Sequence, residues 1–229
     1  MKILCVSDQI DPLVYSGSIK ERFSDVELVL CAGDLPMDYI DFIVSSLNLP
    51  AFFVCGNHNL SEFSLLHSSL REPGAGDLLD LHPLSCGATY AGFKVLRIPT
   101  LVPGQPLLLV GASGSLRYNK GLAQYTEWEM RLRLLTLIPR LLWNKLRYGR
   151  YVDIFLTHSP PRHLGDREDP CHRGFACFRW FLERFSPKYM VHGHIHLYDL
   201  QEPRTTSYHQ TQIINVFGHY ILDLPWSRN

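Results

Sequence analysis

The sequence predicts an α/β protein with a largely parallel sheet, folded as a single domain over residues 1–229. Short apolar runs rich in Val, Ile, Leu and Phe recur along the chain, each of strand length and each ended at once by polar or Gly-containing residues. Segments with helical periodicity lie between the early runs, and strands that alternate with helices pair in parallel. No internal repeat, low-complexity tract or linker divides the chain.

The strand-like runs are 2–6 (KILCV), 27–31 (ELVLC), 51–54 (AFFV), 107–110 (LLLV), 152–156 (VDIFL) and 189–191 (YMV). Their lack of alternation predicts strands covered on both faces. Residues 212–216 and 220–224 flank Phe217-Gly218-His219 and predict a hairpin. Among the helices, 37–47 places Tyr39, Ile40, Ile43, Val44 and Leu47 on one face, and 61–70 and 173–185 are weaker cases. The longest helix is predicted over 127–148. Thr126 and Glu129 suit a capping box, Gly149 suits the C-terminal cap, and Pro139 predicts a kink. Between 115 and 150 there are eight Lys or Arg against two Asp or Glu, with Trp128, Leu132, Leu135, Ile138, Leu142 and Trp143 interleaved. This segment reads first as a helix packed on the core with a solvated basic face, and second as a partner or membrane-surface contact.

Charge is balanced, with 22 Lys plus Arg against 22 Asp plus Glu. A dedicated nucleic-acid binder is usually basic, so that class is disfavoured. No apolar run is long enough to cross a bilayer, and the first residues lack the apolar core of a signal peptide. The six cysteines form no CxxC pair, which predicts reduced thiols in a cytoplasmic protein.

The chemistry sits where the strands stop. Ser7-Asp8, Gly33-Asp34, Gly56-Asn57-His58, Thr157-His158 and His192-Gly193-His194-Ile195-His196 each follow a strand-like run. In an open α/β sheet the carboxyl ends of parallel strands line one crevice. Asp8, Asp34, Asn57, His158, His194 and His196 are therefore expected to converge. Imidazole with carboxylate suits Zn, Fe, Mn, Co or Ni. Asp34 has two oxygens and can bridge two cations about 3.5–4 Å apart, the spacing that clamps a phosphoryl group. Each piece alone is a common turn; the series of five at strand ends carries the inference.

That series resembles the calcineurin-like metallophosphoesterase family, whose motifs run D-x-H, G-D, G-N-H-[DE], H and G-H-x-H. The resemblance spans Asp8 to His196. It implies two packed mixed β-sheets flanked by helices, an αββα sandwich. It also implies hydrolysis of a small-molecule phosphomonoester or phosphodiester at a dinuclear centre of Mn, Fe, Zn or Ni. One cation would be held by Asp8, Asp34 and His196, the other by Asp34, Asn57, His158 and His194. His58 would serve the leaving oxygen as acid or cation.

Two positions depart from the pattern. Ile10 stands where the first motif has His, which leaves the first cation weakly held unless Asp11 substitutes. Asn59 stands where an acid follows G-N-H, which threatens the orientation of His58. These departures motivate the alternative of a non-catalytic scaffold of the same fold. His172, Arg173 and Arg117 are the candidate substrate contacts, since Arg forks and imidazoles grip anionic groups. Asp166 and Asp169 could instead tie that loop together. A homo-oligomer stays open.

Overall fold

The computed structural model describes residues 1–59, 87–100, 102–199 and 201–225. The expected helix over 61–70 and Cys86 lie outside these residues. The first half of the chain forms β1 (Lys2–Ser7), α1 (Ile19–Arg22), β2 (Val26–Cys31), α2 (Met37–Leu47), β3 (Ala51–Phe53), β4 (Thr89–Tyr90), β5 (Val95–Ile98) and β6 (Leu107–Ala112). The second half forms β7 (Ser115–Leu116), β8 (Gln124–Tyr125), α3 (Glu127–Leu135), α4 (Ile138–Tyr148), β9 (Ile154–Thr157), α5 (Ala176–Phe185) and β10 (Tyr189–His192). It ends with β11 (Thr205–Tyr208), β12 (Thr211–Asn215) and β13 (Gly218–Asp223).

Alternation along the strands gives each sheet two buried faces, one towards the other sheet and one towards the helices. Ile3 and Cys5 of β1, Leu28 and Leu30 of β2, Leu107 and Leu109 of β6, and Ile154 and Leu156 of β9 form one buried cluster drawn from both sheets. The residues between them, among them Leu4, Val6, Val29, Val110 and Phe155, belong to the cluster that the helices cover. One sheet has the order β13-β1-β2-β3-β4 and the other β11-β12-β10-β9-β6-β5. Interior neighbours pair in parallel, while β13, β11 and β5 pair antiparallel. The αββα sandwich is therefore observed. The runs at 2–6, 27–31, 51–54, 107–110, 152–156 and 189–191 all lie in or beside interior strands.

The expected hairpin over 212–224 is corrected. β12 joins β10 in the six-stranded sheet, whereas β13 joins β1 in the other. Between them Phe217 bridges to Ser7, and Gly218 takes a φ of 72° where the chain changes sheets. The Arg204 guanidinium spans the crossing by donating to the carbonyls of Phe217 and His219 at 2.9 and 3.3 Å.

The 127–148 helix forms with its caps as expected. Thr126 Oγ1 accepts from Glu129 N–H at 3.2 Å, the Glu129 carboxylate accepts from Thr126 N–H at 2.7 Å, and Gly149 closes the end at a φ of 75°. It is divided into α3 and α4 at Thr136 and Leu137, just before Pro139, whose ring cannot continue the ladder. α5 starts at Ala176 rather than 173, because the Glu127 carboxylate accepts from the N–H groups of Ala176 and Cys177 there.

α5 covers the sheet through aromatic rings. Phe155 of β9 is fully buried, stacked on Phe181 at 4.3 Å between centroids and edge-on to Phe178 at 5.2 Å. Phe155→Ala is expected to cost about 3–5 kcal/mol, because the rigid rings cannot collapse into the void. A urea unfolding midpoint unchanged from wild type would contradict this packing account.

Candidate metal centre

Five strand ends, three from one sheet and two from the other, deliver Asp8, Asp34, Asn57, His158 and His194 to one place. His158 Nε2 is the common point. It lies 3.2 Å from Asp34 Oδ2, 3.0 Å from Asn57 Oδ1 and 3.1 Å from His194 Nδ1. The ligand atoms of Asp34, His158 and His194 all fall within 4.8 Å of one another. Asp8 joins from the side: its two carboxylate oxygens accept from the His194 N–H at 2.9 and 3.0 Å.

The backbone is bent to make this happen. Asp8, Asp34 and His194 have φ of 66°, 54° and 66°, a left-handed conformation that non-glycine residues rarely adopt. Gly193 and Gly56 leave room beside them. A Cβ on Gly193 would stand 2.3 Å from Asp8 Oδ2, and one on Gly56 would stand 2.0 Å from Asp34 Oδ1.

Hydrogen bonds behind the cluster decide which atoms face inward. His158 Nδ1–H donates to the Ala32 carbonyl at 2.9 Å, and His194 Nε2–H donates to the Cys171 carbonyl at 2.7 Å. A carbonyl only accepts, so the opposite ring nitrogen of each neutral histidine is bare. Asn57 Nδ2 donates to the Tyr118 hydroxyl at 3.1 Å, which turns Oδ1 towards His158. Asp34 Oδ2, Asn57 Oδ1 and His194 Nδ1 thus all offer lone pairs, and only His158 Nε2 can carry a proton among them. A buried group of acceptors short of donors fits a divalent cation with mixed nitrogen and oxygen ligands.

Electrostatics agree. Burial opposes charge on His158, but Asp34 and then Asp8 outweigh it and raise its pKa to about 9. Burial and the neighbouring His158 push His194 down to about 3. Burial also opposes ionisation of Asp34, yet His158 brings it to about 2. Burial raises Asp8. The cluster is built to hold positive charge.

Asn59 does not face His58. Its Oδ1 accepts from the N–H groups of Asp34 and Gly56 at 2.9 and 3.0 Å, and its Nδ2 donates to the Leu35 carbonyl at 3.1 Å. An amide supplies that donor, which an ionised carboxylate lacks. His58 is exposed beside the cluster, and its N–H donates to Asp34 Oδ1 at 2.8 Å.

The other expected ligands lie further out. His196 Nε2 stands 3.9 Å from Asp8 Oδ1, while its Nδ1 meets the Tyr198 hydroxyl at 2.8 Å and its ring lies against Phe217. Ile10 is 47% exposed. Asp11 is engaged elsewhere, with His219 Nδ1 at 2.6 Å and the Leu13 N–H at 2.8 Å. It does not take the place of the missing imidazole.

Of the candidate substrate contacts, His172 sits over the cluster, its ring centroid 5.5 Å from that of His194 and 6.4 Å from that of His196. Asp169 Oδ1 lies 2.8 Å from its Nδ1. Arg173 is exposed and donates to the Glu168 carbonyl at 3.3 Å. Arg117 is turned to the Glu129 carboxylate at 2.8 and 3.1 Å. Its neighbour Tyr118 is the residue that reaches the cluster, by the bond to Asn57. Asp166 does tie the loop together, through Arg162 and the N–H groups of His163 and Gly174.

The chain matches the family profile described as calcineurin-like phosphoesterase over residues 1–198, and it belongs to that family. Members bind divalent metals and hydrolyse phosphoesters, the class of chemistry this cluster suits. Among solved structures, one crystal structure superposes with a TM-score of 0.63 at 15% identity, covering 97% of this chain and 94% of the other. The crystal structure of TT1561 of Thermus thermophilus superposes with a TM-score of 0.57 at 13% identity, covering 95% and 89%. At these identities the likeness establishes the fold. No curated protein matches.

Tyr118→Phe removes the hydroxyl that orients Asn57. It should weaken divalent-metal binding by about 10–100-fold, the usual effect of losing a group that positions a ligand. Titration calorimetry of metal-stripped protein with Mn²⁺ or Zn²⁺ checks this, and equal affinity in the two proteins would contradict the assigned role of Tyr118.

Proposed function

We propose that this chain hydrolyses a small-molecule phosphomonoester or phosphodiester with an unequal pair of cation sites. Asp34, Asn57, His158 and His194 hold the tighter site. Asp8, Asp34 and His196 hold the weaker one, with Asp34 between them. The observation that carries this reading is the meeting of three bare acceptors at His158 Nε2. The chemistry a divalent cation of the Mn, Fe, Zn or Ni type supplies there is charge neutralisation of phosphoryl oxygens and acidification of water.

The chain's own residues do the rest. Asp34 is kept ionised at neutral pH; its Oδ2 faces His158 and its Oδ1 accepts from the His58 N–H, so its charge would serve both sites. His58, exposed beside it, donates a proton or positive charge to the departing oxygen, a task that suits an imidazole. His172, held by Asp169, and the exposed Arg173 reach a second anionic group of the substrate. Ala32, Cys171 and Tyr118 keep the ligands aimed.

His58→Ala should lower kcat by about 10²–10⁴-fold, the range for loss of a general acid, with metal content unchanged. Assays on p-nitrophenyl phosphate and bis-p-nitrophenyl phosphate with added Mn²⁺, alongside elemental analysis, test this. Absence of turnover on both esters with Mn²⁺, Ni²⁺ and Zn²⁺ would defeat the hydrolase reading.

The scaffold alternative is favoured by one observation: Ile10 contributes no ligand, and Asp11 is committed to His219. Ile10→His separates the two readings. A hydrolase with a weakened first site should gain metal towards two ions per chain and gain turnover. A scaffold should gain metal without activity.

A further inference from the structure

The long helical segment carries two apolar stripes, and only one of them packs. Met130, Leu134, Leu137, Leu141 and Asn144 are buried and recur at steps of four, three, four and three residues. Trp128, Leu132, Leu135, Pro139, Leu142 and Leu146 repeat the same steps roughly 150° around the helix from the first stripe. All six are exposed; Trp128 is 64% and Leu146 81% exposed, and Trp143, at 57%, widens the stripe. Thr136 and Leu137 keep right-handed helical backbone angles, so the phase runs through from α3 to α4. A helix that only covers a core needs the first stripe and not the second.

Basic side chains flank the outer stripe. Arg131 and Lys145 line one edge, and Arg133, Arg140 and Arg147 the other. Arg131 lies over Trp180, Arg133 over Phe93 and Tyr125, and Lys145 over Tyr151. Neutral rings fix these cations in place and leave their charge intact. Among the described residues, none of the five meets a carboxylate within ion-pair distance.

We propose that this face docks on an anionic lipid surface. Trp128, Trp143 and the leucines enter the headgroup region, and the flanking Arg and Lys meet lipid phosphates. Charge selects this occupant. A second copy of the chain would set basic edge against basic edge across the same stripe, a like-charge arrangement that opposes pairing. A lipid surface supplies negative charge along both edges at once and apolar depth between them. Exposed Trp beside Leu is the composition of side chains that rest at a membrane interface. Among the described residues no helix is long and apolar enough to cross a membrane, so the contact is lateral.

The test is co-sedimentation of the full chain with vesicles of phosphatidylcholine alone and of equal parts phosphatidylcholine and phosphatidylglycerol. The protein should pellet with the mixed vesicles, remain in solution with the neutral ones, and be released by salt. Arg140→Glu with Arg147→Glu should reduce partitioning by more than about tenfold, since each surface cation contributes about fivefold. Trp143→Glu with Leu146→Glu should abolish it. Both pairs lie on the solvent side, so thermal unfolding and circular dichroism should match wild type. Equal partitioning to both vesicle types, or to neither, overturns the proposal. So does a concentration-dependent dimer in sedimentation velocity that Trp143→Glu with Leu146→Glu dissolves, or a tight complex with an acidic protein at this face that excludes vesicles.

Discussion

The site turns on one atom, Nε2 of His158. Three acceptors from three other strand ends stand around it, each within hydrogen-bond reach, and none can supply a proton to the others. Burying such a group unpaired is costly. Asp34 and His194, with Asp8 beside them, also sit in left-handed backbone, at about 1–3 kcal/mol each. The surrounding structure offsets this with directed bonds: Asn59 clamps the Asp34 and Gly56 turns, the His194 N–H is held by Asp8, and Asn215 fixes the Ile195 carbonyl. Local geometry is sacrificed where a ligand must be aimed, and the cores on either side of each sheet hold it there.

The same atom joins the two sheets. Asp34 and Asn57 come from the sheet that contains β1, and His158 and His194 come from the other. The Leu, Ile and Val side chains between the sheets set their separation. Repacking that layer would change the distances within the cluster. The apolar interior therefore acts on the site as a spacer, and its close packing makes the spacing nearly fixed.

Much of this is legible in the sequence, for physical reasons. Strands covered on both faces are continuous apolar runs, so β1, β2, β6, β9 and β10 are visible, and strand ends in an α/β sheet mark the candidate ligands. Thr126, Glu129 and Gly149 announce their helix because capping chemistry is local. The short edge strands β4, β5, β7, β8 and β11 escape a reading of the sequence; they are brief or half exposed, and pairing rather than composition makes them. The hairpin over 212–224 fails because turn chemistry does not say which sheet the next strand will join. Asn59 reads as a lost acid, although its amide bonds only the backbone. The acceptors behind His158 and His194, the carbonyls of Ala32 and Cys171, carry no side-chain signature. Tyr118 stands beside Arg117 in the sequence, and nothing there says which of the two reaches Asn57.

The crossing at Phe217 and Gly218 has a consequence for biosynthesis. β1 pairs with β13 from Lys2 opposite Asp223 to Ser7 opposite Gly218. When the ribosome has released β1, its antiparallel neighbour is still more than two hundred residues from emergence. Until then the strand that carries Asp8 has a bare, apolar edge, the kind that recruits foreign strands. Closure of this sheet is therefore a late event that depends on contacts remote in sequence, and such contacts form slowly. The strand that carries Asp8 thus gains its last neighbour only after every residue of the cluster has been made.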